Sequence, residues 1–134
     1  MKAMNQRKNE KVVKRFFSIL IFLFIAQISF AQATSDQQLA AQYFQSGEYD
    51  KAALYYEKLY SKKPSTFYYN YLLKCLIEVK EYKEAGKLIK KHMKHEPGNP
   101  VFLVDLGSLN RLEGDESEAI KNYEKALKEM TGNA

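Results

Sequence analysis

A run of thirteen residues, Gly47-Glu48-Tyr49-Asp50-Lys51-Ala52-Ala53-Leu54-Tyr55-Tyr56-Glu57-Lys58-Leu59, recurs twice further along the chain. Its second copy starts Lys80-Glu81-Tyr82-Lys83-Glu84-Ala85 and its third Gly114-Asp115-Glu116-Ser117-Glu118-Ala119. Pro64 and Pro97 close the first two copies. Ala52, Ala85 and Ala119 fall 33 and 34 residues apart. A period of that size belongs to arrays in which each supersecondary unit hides its apolar face only against its neighbours. The fold class expected is therefore all-α, an α-solenoid of about six helices stacked as antiparallel hairpins.

Helix signals divide the chain after residue 33 into those six helices. Ser35 with Gln38 has the spacing of a capping box, as does Asp115 with Glu118. Gly47 supplies a tight turn between two helices, and Ser65 or Thr66 caps the third. Asn99-Pro100 joins an N-cap side chain to a proline at the first helical position. The spacing predicts helices over about 36–46, 50–62, 66–79, 82–94, 100–113 and 116–129. The extra residue of the last period is expected in the Gly98-Asn99 joint. No segment alternates with period two, so no strand is expected.

Residues 1–33 read as an export signal. Six basic residues surround one acid, an apolar run follows from Phe16 toward Phe30, and Ala31-Gln32-Ala33 offers cleavage after Ala31 or Ala33. A spanning helix needs about 20 apolar residues, and Gln27 interrupts this run, so no stable membrane insertion is expected after cleavage. Cys75 is the only cysteine and lies far from the cut, which excludes a lipid-modified signal. The expected location is the periplasm or cell surface of a Gram-negative bacterium, because the signal resembles those ending Phe-Ala-Gln. The signal also holds the whole net charge of +5, leaving fifteen basic and fifteen acidic residues behind it. Basicity is thus no argument for nucleic-acid binding.

The first-helix and second-helix patterns together resemble the tetratricopeptide repeat family, over essentially all of residues 34–130. Ala52, Ala85 and Ala119 match its small residue early in the second helix; Tyr56 and Tyr123 match its aromatic, where Ile89 stands in; Gly107 matches its first-helix small residue. The resemblance implies repeats over 34–64, 65–98 and 99–134, with Ala40, Ala52, Ala85, Gly107, Ala119 and Ala126 packing helix on helix. Leu73 departs from the pattern where Ala40 and Gly107 are small, and His92 departs where Ala126 is small. Gly86 is expected to make room for Leu73.

In this family the first helices of the hairpins line a concave groove for a peptide or a partner helix. Carried over, the groove presents Gln37, Ala41, Phe44 and Gln45, then Phe67, Asn70, Lys74 and Ile77, then Val101, Val104, Ser108 and Arg111. A competing bland account has Phe44, Phe67 and Val101 packing between units. The lysine–asparagine clamp some members use for a terminal carboxylate is not reproduced, since Gln37 and Ala41 stand in those places.

Nothing in the sequence assembles a catalytic site. Phosphate-loop, nucleophile-elbow and zinc spacings are missing, and His92 and His95 bring no cysteine or carboxylate cluster with them. His92 is expected in the core and Cys75 as a buried thiol; no cofactor and no metal are expected. The function expected is a non-enzymatic scaffold with a protein partner. The alternative is a repeat arm or spacer of a larger envelope protein or enzyme. Residues 65–97 are net basic and 98–134 net acidic, and an uncapped last helix leaves self-association open.

Overall fold

The computed structural model describes residues 13–15, 17–18 and 35–132. Two units divide the chain, Met1–Asp36 and Gln37–Ala134. In the first, residues 13–15 and 17–18 are helical and exposed. The expected export signal otherwise lies outside the described residues. Among the described residues no helix is long and apolar enough to cross a membrane.

The second unit is a run of helices, with no strand among the described residues. Residues 35–45 are helical (α1), followed by α2 (Tyr49–Lys62), α3 (Thr66–Glu78), α4 (Tyr82–His95), α5 (Val101–Glu113) and α6 (Glu116–Thr131). From α2 onward each helix packs on the next, and ring contacts join α1 to α2 at Tyr43–Tyr55 and Phe44–Tyr56. Joints of two to five residues force successive helices antiparallel. The architecture is a solenoid of helix hairpins.

Most boundaries follow their sequence signals. The Ser65 hydroxyl oxygen accepts from the Tyr68 N–H and an Asp115 carboxylate oxygen from the Glu118 N–H. Asn99 Oδ1 accepts from the Val101 N–H, which makes it the working cap although Pro100 is the residue next to the helix. Two expectations need correction. Ser35 is already helical and so cannot cap α1. In the α6 box only Asp115 plays its part, because Glu118 turns to Lys121 instead (3.0 Å).

Three joints share one hydrogen-bond pattern. Glu48 N–H reaches the Tyr43 carbonyl and Gly47 N–H that of Phe44; Glu81 pairs likewise with Leu76 and Lys80 with Ile77, and Asp115 with Asn110 and Gly114 with Arg111. This is the Schellman closure of a helix, whose penultimate residue adopts a left-handed backbone. Glycine fills that place at positions 47 and 114, but Lys80 holds it with φ +63°.

The core runs unbroken from Ala40 to Leu109. Ala40, Ala52, Ala85 and Ala119 are 0% exposed and Ala126 is 2%, while Gly107 is buried against α6. A Cβ on Gly107 would lie 2.6 Å from Tyr123 Cε1, so only hydrogen fits there. The expected link between Gly86 and Leu73 is not found. A Cβ on Gly86 would meet Leu109 Cδ2 at 3.4 Å, so the space belongs to α5. Leu73 is absorbed into the core without it. Cys75 is fully buried, and burial pushes its thiol up to about 11.

Candidate functional site

The first helices of the hairpins, α1, α3 and α5, are adjacent in space. Phe44 of α1 stands edge-on to Tyr71 of α3 (4.9 Å between centroids), and Tyr69 of α3 stands edge-on to Phe102 of α5 (5.4 Å). None of the twelve groove residues inferred by resemblance is buried. Gln37, Gln45, Phe67, Asn70, Lys74, Val101 and Arg111 are exposed; Ala41, Phe44, Ile77, Val104 and Ser108 are half-buried.

The structure joins some of these residues and separates others. Phe44 and Phe67 do not touch each other; Tyr71 lies between them, 4.9 Å from each. Tyr71 also stacks on Tyr56 (5.0 Å, 16°), whose burial pushes its hydroxyl up to about 12. Phe44 gains further edge contacts from Tyr49 and Tyr56. The result is an aromatic strip crossing from α1 to α3, with Phe67 still 53% exposed at its end. Tyr71 was missed in the sequence, although its spacing of four from Phe67 places both on one helix face.

Polar groups flank the strip. Asn70 is exposed and makes no hydrogen bond among the described residues, so its amide can both donate and accept. Lys74 is held loosely by Glu78 at 3.5 Å. Ser108 is turned away, since its Oγ accepts from the Tyr123 hydroxyl (3.2 Å). On α5 the face therefore consists of Val101, Val104 and Arg111.

Beneath this face sits a buried polar knot. His92 of α4 is 1% exposed. Its ring stacks on Tyr69 (4.3 Å, 10°), meets Phe102 edge-on (5.1 Å), and its Nδ1 lies 3.0 Å from the Tyr60 hydroxyl. With that hydroxyl donating, the ring proton sits on Nε2, which lacks hydrogen-bond geometry and lies 3.5 Å from Glu96 Oε1. Burial holds His92 below the ordinary imidazole range, with the Glu96 charge opposing. The Tyr69 hydroxyl donates to Asp105 Oδ2 at 2.5 Å. Burial raises the Asp105 carboxyl and the Tyr69 hydroxyl alike, the hydroxyl's bond pulling Asp105 back down. The knot joins α2, α3, α4 and α5, and its Tyr60, Tyr69 and His92 rings are each 1% exposed. Among the described residues no group of three His, Cys, Asp or Glu could hold a metal ion.

A second concavity lies outside the inferred groove. Between α2 and α4, floored by α3, runs a cleft of about 430 Å³ lined by Leu54, Leu72, Leu76 and Leu88 with charged walls. The sequence placed the expected groove on the first helices alone, so this cleft was not foreseen.

Comparison with known proteins agrees with the architecture. The chain is 26% identical over 95 residues to human sperm-associated antigen 1, an alignment taking 71% of this chain but 10% of the relative. Among solved structures it is similar to MamA AMB-1 (TM-score 0.63, 20% identity, 75% of this chain and 60% of that one). It is similar also to yeast Tom70 (0.56, 23%, 67% and 18%). A third similar structure is PcrH in complex with the chaperone binding region of PopB (0.59, 18%, 74% and 83%). The chain thus spans only part of the first of these relatives, and the structural likenesses concern the fold. A tetratricopeptide repeat family model matches residues 23–134, beginning inside the stretch expected to be an export signal, and the chain belongs to that family.

Proposed function

We propose that the protein is an exported, non-enzymatic interaction module that binds an extended peptide or a partner helix across α1, α3 and α5. The observation carrying this reading is the aromatic strip Phe44–Tyr71–Phe67, left accessible beside an unengaged Asn70 and the weakly held Lys74. Exposed aromatic rings next to an amide and a cation suit a ligand that buries apolar side chains while offering backbone carbonyls or an acidic group. The fold supports a protein partner, because arrays of this kind mediate protein interaction rather than catalysis. The PcrH structure holds a segment of another protein, which favours a peptide here. Export rests on the leader composition of residues 1–33, with a periplasmic or cell-surface destination.

The chain contains no tryptophan, so a library of acidic, apolar peptides each carrying one can be titrated by its own fluorescence. Binding by the full chain that is lost in a Phe67→Ala, Lys74→Glu double variant of unchanged helicity is the expected result. Equal binding by the double variant would reject this face as the site. Fractionation with detection of the processed amino terminus tests export: an unprocessed chain confined to the cytoplasm would reject it.

A further inference from the structure

A carboxylate beside the aromatic strip lacks a counter-ion. Asp105 is half-buried on α5, next to Val104 and one turn past Val101. It flanks that face on the side toward α3, where the Tyr69 hydroxyl reaches its Oδ2. Its Oδ1 accepts no bond from any described residue and keeps access to solvent. Burial raises the Asp105 carboxyl, and only the Tyr69 bond and the His92 ring oppose that. A carboxylate drawn out of water is ordinarily paired with a cation.

No charge on α3 or α5 supplies one. The two helices carry Lys74, Glu78, Asp105, Arg111 and Glu113. Lys74 faces Glu78 at 3.5 Å. Arg111 lies further along α5, about 9 Å from Asp105 by helical rise. Among the described residues neither cation pairs with Asp105, and Glu78 and Glu113 share its sign.

Packed helices lie about 8–10 Å apart and an extended chain advances about 3.3 Å per residue, so a ligand crossing from Phe67 on α3 to Asp105 on α5 covers the distance in about three residues. We propose that Asp105 is a specificity-determining residue of this face, taking a basic side chain of the bound peptide at that distance from the apolar side chain that lies on Phe67. The inference rests on the peptide-binding reading of the α1, α3 and α5 face. A guanidinium or ammonium gives Oδ1 the donor it lacks and leaves the Tyr69 bond on Oδ2 in place. Asn70, next to Tyr69 on α3, is free to hold the backbone in between, and Lys74 keeps the ligand's acidic group. The partner segment is therefore of mixed charge, with a base on the α5 side of its apolar residue.

The tryptophan-bearing acidic, apolar peptides test this when each is made with arginine at successive positions after the apolar residue, and again with citrulline, which keeps the shape and drops the charge. Titrated with the full 134-residue chain, the arginine form should bind about ten-fold more tightly than the citrulline form near the third position, the size of a charge-assisted hydrogen bond. Asp105→Asn, whose amide oxygen still accepts from Tyr69, should erase the difference, and Asp105→Glu should keep it. A general loss of stability weakens both peptide forms alike and cannot imitate that result. Equal binding of the two forms at every position overturns the proposal, as does a preference for arginine that persists in Asp105→Asn. Failure of every peptide to bind rejects the face itself and this assignment with it, whereas binding without a preference for arginine rejects the assignment alone.

Discussion

Replacing Lys80 with glycine should stabilise the protein. Lys80 is the only non-glycine residue of positive φ among those described, at +63°. It is fixed there by two backbone bonds, its own N–H to Ile77 (3.0 Å) and that of Glu81 to Leu76 (2.8 Å). A left-handed backbone costs an ordinary L-residue about 1–2 kcal/mol. Glycine removes that cost but returns about 0.5–1 kcal/mol through its greater freedom in the unfolded chain. The net gain for Lys80→Gly is about 0.5–1 kcal/mol. Gly47 and Gly114 occupy the equivalent turns, and a Cβ at either meets nothing within 4 Å. Gly47→Lys and Gly114→Lys should therefore lose about the same amount, through backbone conformation alone. Urea unfolding measures all three. With m of about 1–3 kcal/mol/M, each midpoint moves by a few tenths of a molar while m stays fixed. A midpoint unchanged or lowered in Lys80→Gly, together with a harmless Gly47→Lys, would refute the reasoning.

Other perturbations test packing and charge. Ala85→Leu enlarges a side chain that is 0% exposed and should cost about 1–3 kcal/mol by overpacking, read as a lower melting temperature. Gly107→Ala forces the Tyr123 ring to move from 2.6 Å; the overpacking cost of about 1–3 kcal/mol is partly offset by about 1 kcal/mol of helix propensity, leaving a smaller loss than at Ala85. His92 should make stability pH-dependent. Its folded pKa lies below the ordinary 6.5, so the unfolded chain binds more protons in that window and stability falls as pH drops below about 6.5, levelling off below the folded value. His92→Asn, which keeps a partner for Tyr60, should flatten that decline in acid-titrated thermal melts.

The repeat period alone implies the hairpin architecture, because helix caps and small residues recur wherever two backbones must approach. Ala52, Ala85 and Ala119 are legible for that reason: a steric demand leaves one residue type. Interactions between elements are less legible. Tyr71 bridges Phe44 and Phe67 only through the placement of α1 on α3. Gly86 invited pairing with Leu73 by nearness in the alignment of repeats, yet it faces Leu109 across the next joint. The α2/α4 cleft is likewise a product of helix spacing, since none of its apolar residues departs from an ordinary amphipathic pattern.

Successive hairpins that share small-residue packing create a hazard in folding, because a first helix could settle on the wrong second helix and still bury alanine against alanine. The Tyr60–His92 and Tyr69–Asp105 bonds oppose that error. His92 replaces the alanine that Ala126 keeps in the third unit, and a shifted pairing would leave its imidazole and the Asp105 carboxylate desolvated without their tyrosines, at about 1–3 kcal/mol for each stranded group. The knot beneath the aromatic strip thus acts as a registration key, making one order of assembly cheaper than its near-identical rivals.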